Sequence, residues 1–288
     1  MAIETLNHTT EEIEYLRHGE RRLILRLFRP AGAGPFPLAV DLHGGAWTKG
    51  HMDECTPRDE ALAEAGIAAA ALDFRHAGDG YPTSLIDINY AVRWLKAHAG
   101  DLAVDSGRVA LVGQSSGGHL AMLAAMRPAD ARYASVKLDG ARPAVDASVH
   151  CVGMLWPVIN PLSRYRHALR ARGEATPQAW VGDIPERHDL YWRSEEAMAE
   201  GNPVLALERG EKVATPPAIW IQGRPDIVHD YRDPESPLDF NEPERFAAGY
   251  RKAGGDVEVS YIDQATRASN ASVDPLVAFL RRRMPAAE

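Results

Sequence analysis

The pentapeptide Gly113-Gln114-Ser115-Ser116-Gly117 constrains the fold more than any other stretch, because of what flanks it. It is entered from residues 109–112, an apolar run that reads as a short buried strand. It leaves into residues 118–126, small and apolar, which read as a helix. A strand that turns directly into a helix holds its central residue in strain, and glycines two positions either side remove Cβ atoms that would clash there. The Ser115 hydroxyl then projects above the sheet, with the helix N-terminus directed at developing negative charge. Ser116 also carries a hydroxyl, but only Ser115 has glycine at both −2 and +2. The pattern alone would fit a plain glycine-rich turn in another α/β fold. Residues 113–118 lack the Lys-Ser/Thr ending of a phosphate loop and the spacing of a dinucleotide fingerprint.

The rest of the chain supports the strand-turn-helix reading. Residues 13–16 and 23–28 predict an antiparallel lead-in pair, and 37–42, 67–74, 109–112, 149–155, 218–222 and 257–262 predict further strands. Helical patterns fall at 58–65, 86–98, 118–126, 242–253 and 273–283. Such alternation signals a mostly parallel sheet covered on both faces. At 288 residues the chain can fill one domain. Residues 157–213 break the alternation. They are rich in Arg, Trp, Tyr and Pro, and a long excursion of this kind is expected to be a cap or binding element.

Two further segments carry chemistry. His43-Gly44-Gly45-Ala46-Trp47 follows the third predicted strand, where backbone N–H groups of Gly44 and Gly45, joined by that of Ser116, can stabilise an oxyanion. His43 reads as a hydrogen-bonding residue of this loop in preference to a base. After the strand at 218–222 comes Gly223-Arg224-Pro225-Asp226.

Together with Leu72-Asp73-Phe74-Arg75, Asp87, Arg93-Trp94-Leu95 and Gly118-His119-Leu120-Ala121, these motifs resemble the α/β-hydrolase superfamily. The similarity is to its esterase branch, which includes hormone-sensitive-lipase-like, feruloyl-esterase-like and arylformamidase-like enzymes. The resemblance covers most of the chain in order. It implies an α/β-hydrolase fold with an eight-stranded, mostly parallel sheet, helices on both faces and a cap insertion. It also implies Ser115 as nucleophile and Asp226 as the acid that orients the base; the alternative for Asp226 is a turn aspartate. Asp73, Arg75 and Asp87 read as scaffold.

One departure stands out. The base histidine of this superfamily follows the last strand, and Tyr261-Ile262-Asp263-Gln264-Ala265-Thr266-Arg267-Ala268-Ser269 contains none. Neither Thr266 nor Arg267 is a neutral base near pH 7. Three readings compete: His229 is the base, three residues past Asp226, or a cap histidine (His150, His167, His188) is, or the triad is lost and the protein binds a ligand without hydrolysing it. A lyase or C–C hydrolase using the same pocket is a further alternative. Arg164, Arg166 and Arg170 could hold an anionic substrate, and Trp180, Tyr191 and Trp192 suggest an aromatic-lined pocket.

The expected reaction is hydrolysis of a carboxylic ester, in second place an amide or lactone, through an acyl-enzyme, with Ser115, Asp226 and His229 as triad. A small ester-like molecule is then the partner. A net charge of −8 without a basic stripe argues against nucleic acid. The only basic run, Arg281-Arg282-Arg283, suits the end of a helix. No apolar run approaches the ~18 residues of a membrane span. Residues 1–10 lack the apolar stretch of a signal peptide, so a cytoplasmic setting is expected. Cys55 and Cys151 have no metal-ligand spacing, and neither a metal nor a cofactor is expected. Cys151 reads as buried and Cys55 as open to solvent. A homodimer is compatible with the chain but not specified by it.

Overall fold

A computed structural model describes residues 8–138, 145–267 and 269–285. Of the segments read above, residues 1–7 and Ala268 lie outside the described residues. Eight strands form one sheet in the order β1-β2-β4-β3-β5-β6-β7-β8. They are β1 (His8–His18), β2 (Arg21–Pro30), β3 (Phe36–Leu42), β4 (Ala68–Leu72), β5 (Val104–Gln114), β6 (Cys151–Leu155), β7 (Ala218–Arg224) and β8 (Val257–Asp263). β2 runs antiparallel to both β1 and β4, and all pairs from β4 to β8 are parallel. Each strand expected from the sequence is present; β1, β2 and β5 extend further, because polar edge residues carry the ladder past the apolar run.

The helices are α1 (Thr56–Glu64), α2 (Thr83–Ala97), α3 (Ala99–Leu102), α4 (Ser116–Met126), α5 (Pro161–Arg172), α6 (Ile184–Trp192), α7 (Glu195–Glu200), α8 (Pro203–Glu208), α9 (Glu242–Lys252) and α10 (Asn270–Arg283). Central strands are buried on both faces, so they read as unbroken apolar runs whose successive residues enter different cores. Leu38, Val40, Leu42 and Leu111 face the layer made with α2, α4 and α9. Ala39, Ala110 and Val112 face the layer of α1 and α10. Residues 157–213 contain α5 to α8, started by Asn160, Ser194 and Asn202, whose side chains accept the first free amides. Tyr191 and Trp192 are fully buried against Trp47, so they are core of this segment and do not line an open pocket.

Cys55 is buried, contrary to expectation. The short turn Met52–Cys55 packs it against Arg58, whose guanidinium lies 3.5 Å from its Sγ. Asp87 receives Arg75 and His18, as expected of scaffold. Among the described residues no helix is long and apolar enough to cross a membrane.

Candidate active site

The parallel strands deliver their C-terminal ends to one edge, where open α/β sheets place ligands. Ser115 caps β5 there with φ 51° and ψ −119°, a region that side chains rarely occupy. The flanking glycines permit the turn by close approach. A Cβ on Gly117 would lie 2.2 Å from the Leu42 carbonyl oxygen, and one on Gly113 would lie 2.4 Å from the Gly117 backbone. The Ser115 amide donates to Leu155 and its carbonyl accepts from Val158, so the turn is tied to the chain leaving β6.

The loop after β3 lies directly against this turn. A Cβ on Gly44 would come within 3.4 Å of Ser115 Cβ. Gly45, Ala46 and Trp47 then follow with φ of 107°, 50° and 60°. His43 is buried, stacks on Phe74 at 4.4 Å and donates from Nδ1 to the Gly44 carbonyl at 2.9 Å. Burial lowers its pKa to about 4, so it is a neutral brace of the loop. Trp47 Nε1 donates to His119 Nδ1 at 3.2 Å, and His119 Nε2 donates to the Gly201 carbonyl at 2.8 Å, fastening this loop and α4 to the 157–213 segment.

His229 Nε2 lies 3.3 Å from Ser115 Oγ, and His229 Nδ1 lies 2.9 Å from Asp226 Oδ2. An ionised carboxylate only accepts, so Nδ1 carries the proton and the Nε2 lone pair faces the serine hydroxyl. Asp226 is held in turn: Oδ1 accepts from the amides of Val228 and His229, and Oδ2 from Gln222 Nε2 at 3.2 Å. Gln222 itself accepts from Trp220 Nε1. Burial would raise the Asp226 pKa, but the His229 bond and charge, the Val228 amide and the Arg267 charge bring it to about 2. Burial lowers the His229 pKa to about 4 against the pull of Asp226, with Arg164 and Arg267 acting in the same direction as burial.

The other histidines weighed as bases go elsewhere. His167 donates to the Ile227 carbonyl at 3.0 Å and stacks on Tyr231 at 4.0 Å; His188 donates to Ile184 and packs on Trp47. His150 lies at the start of β6, its amide bonded to Val109 beside β5. Of the three arginines, Arg166 pairs with Glu195 and Glu235, and Arg170 with Glu235. Arg164 is buried without a carboxylate within salt-bridge distance among the described residues, and donates to the Val228 carbonyl at 3.2 Å. Trp180 stacks on His167. Gln222, a polar residue inside a buried strand, was visible in the sequence yet unused. The grip of α5 on the His229 loop had no sequence signal.

One buried group could resemble a metal site: Asp41, Cys55 and Asp59. Arg58 already supplies its cation, donating to both Asp41 oxygens at 2.6 and 2.7 Å. Burial pushes the Cys55 and Asp59 pKa values well up, which keeps both protonated and poor as ligands.

Residues 25–231 match the BD-FAE family model. The chain is 37% identical over 166 residues to the probable carboxylic ester hydrolase LipM of Mycobacterium tuberculosis, covering 54% of this chain and 38% of that one. It is 30% identical over 199 residues to esterase LipC of the same organism, covering 67% and 45%. It therefore spans less than half the length of either relative. Among solved structures, a hyperthermophilic esterase from Pyrobaculum calidifontis superposes with a TM-score of 0.71 at 20% identity, covering 98% of this chain and 88% of the other. The Est2 esterase of Thermogutta terrifontis does so at 0.69 and 21%, covering 97% and 96%. At that identity the likeness concerns the fold, which is the α/β-hydrolase fold. The family match runs from β2 to the loop after β7 and so includes Ser115, Asp226 and His229, and the chain belongs to the BD-FAE family.

Proposed function

We propose that this chain hydrolyses carboxylic esters through an acyl-enzyme on Ser115. The observation that carries the reading is the hydrogen-bonded series Ser115–His229–Asp226 at the end of β5. In this reading Ser115 Oγ attacks the ester carbonyl while His229 Nε2 takes its proton. The Nδ1–H bond to Asp226 stabilises the imidazolium. Backbone N–H groups of Gly44, Gly45 and Ser116 hold the oxyanion. His229 then returns the proton to the leaving alcohol, and water attacks the acyl-enzyme by the reverse route. Residues 157–213 act as the cap over this single domain. The names of LipM and LipC as ester hydrolases support the same substrate class.

The test is labelling by a fluorophosphonate probe, with the modified residue located by mass spectrometry. Wild type should label rapidly at Ser115, and His229→Ala should label far more slowly. Ser115→Ala should lose at least about a thousand-fold in turnover of p-nitrophenyl butyrate. A folded protein that neither labels nor turns over that ester would refute the proposal.

A further inference from the structure

With the base candidate on the β7 loop, the turn after β8 is free of the role that the superfamily gives it. Arg267 stands in that turn. Its guanidinium carbon lies 4.0 Å from the centre of the Trp156 ring, and its Nη1 lies 3.8 Å from Asp226 Oδ2. Asp226 already accepts from His229, Gln222 and two amides. Among the described residues the Arg267 guanidinium makes no hydrogen bond. Trp156 is buried, at φ 36°, and its amide donates to the Ile221 carbonyl at 2.7 Å.

Arg267 borders a cavity of about 460 Å³ shared with Arg58, Gln114, Trp156, Gln264 and Asn270. Gln114, the residue before Ser115, lines the cavity, and Arg267 joins it to the site through Asp226, which holds His229. Arg58 is occupied by Asp41 and by Gln114 Oε1, leaving Arg267 as the lining cation with unbonded donors. Glu54, also in the lining, is exposed. A planar guanidinium held over an indole and partly open can bind a carboxylate through two parallel bonds.

We infer that this cavity is a carboxylate subsite, and that the ester taken at Ser115 carries a carboxylate recognised by Arg267. The inference rests on the ester-hydrolase proposal for the reaction but not for the binding. The carboxylate can belong to the acyl or the alcohol part, and two substrates separate these: the p-nitrophenyl hemiester of glutarate, and the butyrate ester of 4-hydroxybenzoate. Each is compared with p-nitrophenyl butyrate as a ratio of kcat/KM within the same variant, so a general loss through Asp226 cancels. Wild type should favour one charged ester at least ten-fold. Arg267→Met should bring that ratio down by about ten- to a hundred-fold, the range expected for a charge-assisted bond, and Arg267→Lys should keep part of it. Asn270→Asp, which sets a negative charge on the cavity wall without touching Asp226, should lower the same ratio. Calorimetric titration of glutarate into Ser115→Ala protein should show binding that Arg267→Met abolishes. A ratio near one in wild type, or one unchanged in Arg267→Met and Asn270→Asp, would overturn the inference. If no ester is turned over, the glutarate titration alone decides: binding through Arg267 upholds the subsite while the ester-hydrolase proposal fails.

Discussion

At Ser115 a non-glycine residue sits at positive φ, a conformation that costs about 1–3 kcal/mol and persists only where the surroundings impose it. Two backbone bonds and the close approach of Gly113 and Gly117 impose it here. This much was legible in the sequence, because both glycines and the small-residue helix are printed in consecutive positions. His229 was legible only as one of several candidates. What singles it out is the short loop in which Asp226 accepts two amides from the residues after it, and that geometry has no counterpart in residue order. The environment of His229 also sets a pH dependence. Burial, aided by Arg164 and Arg267 and opposed by Asp226, holds its pKa at about 4, so the imidazole stays neutral well below pH 6. With His229 as base, kcat/KM for a neutral ester should stay level between pH 8 and 5.5, read by rapid pH-jump assays. A histidine of ordinary pKa near 6.5 would lose about ten-fold by pH 5.5. An acid limb near 6.5 would place the base elsewhere.

At the scale of elements, α5 grips the His229 loop with one face. Ser163 Oγ lies 3.1 Å from the Tyr231 hydroxyl, Arg164 donates to Val228, and His167 donates to Ile227 and stacks on Tyr231. The strands of a mostly parallel sheet were readable from alternating patterns, but this grip joins segments about 65 residues apart and depends on where a helix of the 157–213 segment settles. Arg164 is the costly member, since a buried cation without a carboxylate partner is unfavourable unless its donors are used. Its removal should loosen the loop. Arg164→Met, close in length and uncharged, should lower kcat/KM by about ten- to a hundred-fold, the scale of a displacement near 1 Å in a reacting group. Hydrogen exchange at residues 227–231 should quicken in the same variant, and its acid limb should move up as a positive charge leaves the vicinity of His229. Unchanged exchange together with unchanged kcat/KM would show that the loop holds its own shape.

Across the whole molecule, the buried titratable groups pull stability in opposite directions as pH falls. His43, His119, His188 and His229 have pKa values lowered by burial to about 4, 4, 3 and 4. Below pH 6.5 the unfolded chain protonates all four while the native state does not, so each favours unfolding as acid is added. Glu242, raised by burial to about 7, and Asp59, raised well above its usual range, act the other way, because the native state holds their protons first. Four groups against two leave a net uptake of protons on unfolding below pH 6.5, and each net proton changes stability by about 1.4 kcal/mol per pH unit. Native domains are stable by only ~5–15 kcal/mol, so the effect is large. The urea midpoint should therefore fall steeply from pH 6.5 to pH 5. His119 offers the sharpest check, since its Nδ1 accepts from Trp47 and its Nε2 donates to Gly201, an arrangement only the neutral ring can make. His119→Gln should lower stability at pH 7.5 yet flatten the acid slope by about one proton. A midpoint that does not move between pH 6.5 and 5 would mean that these rings are wetter than their packing implies.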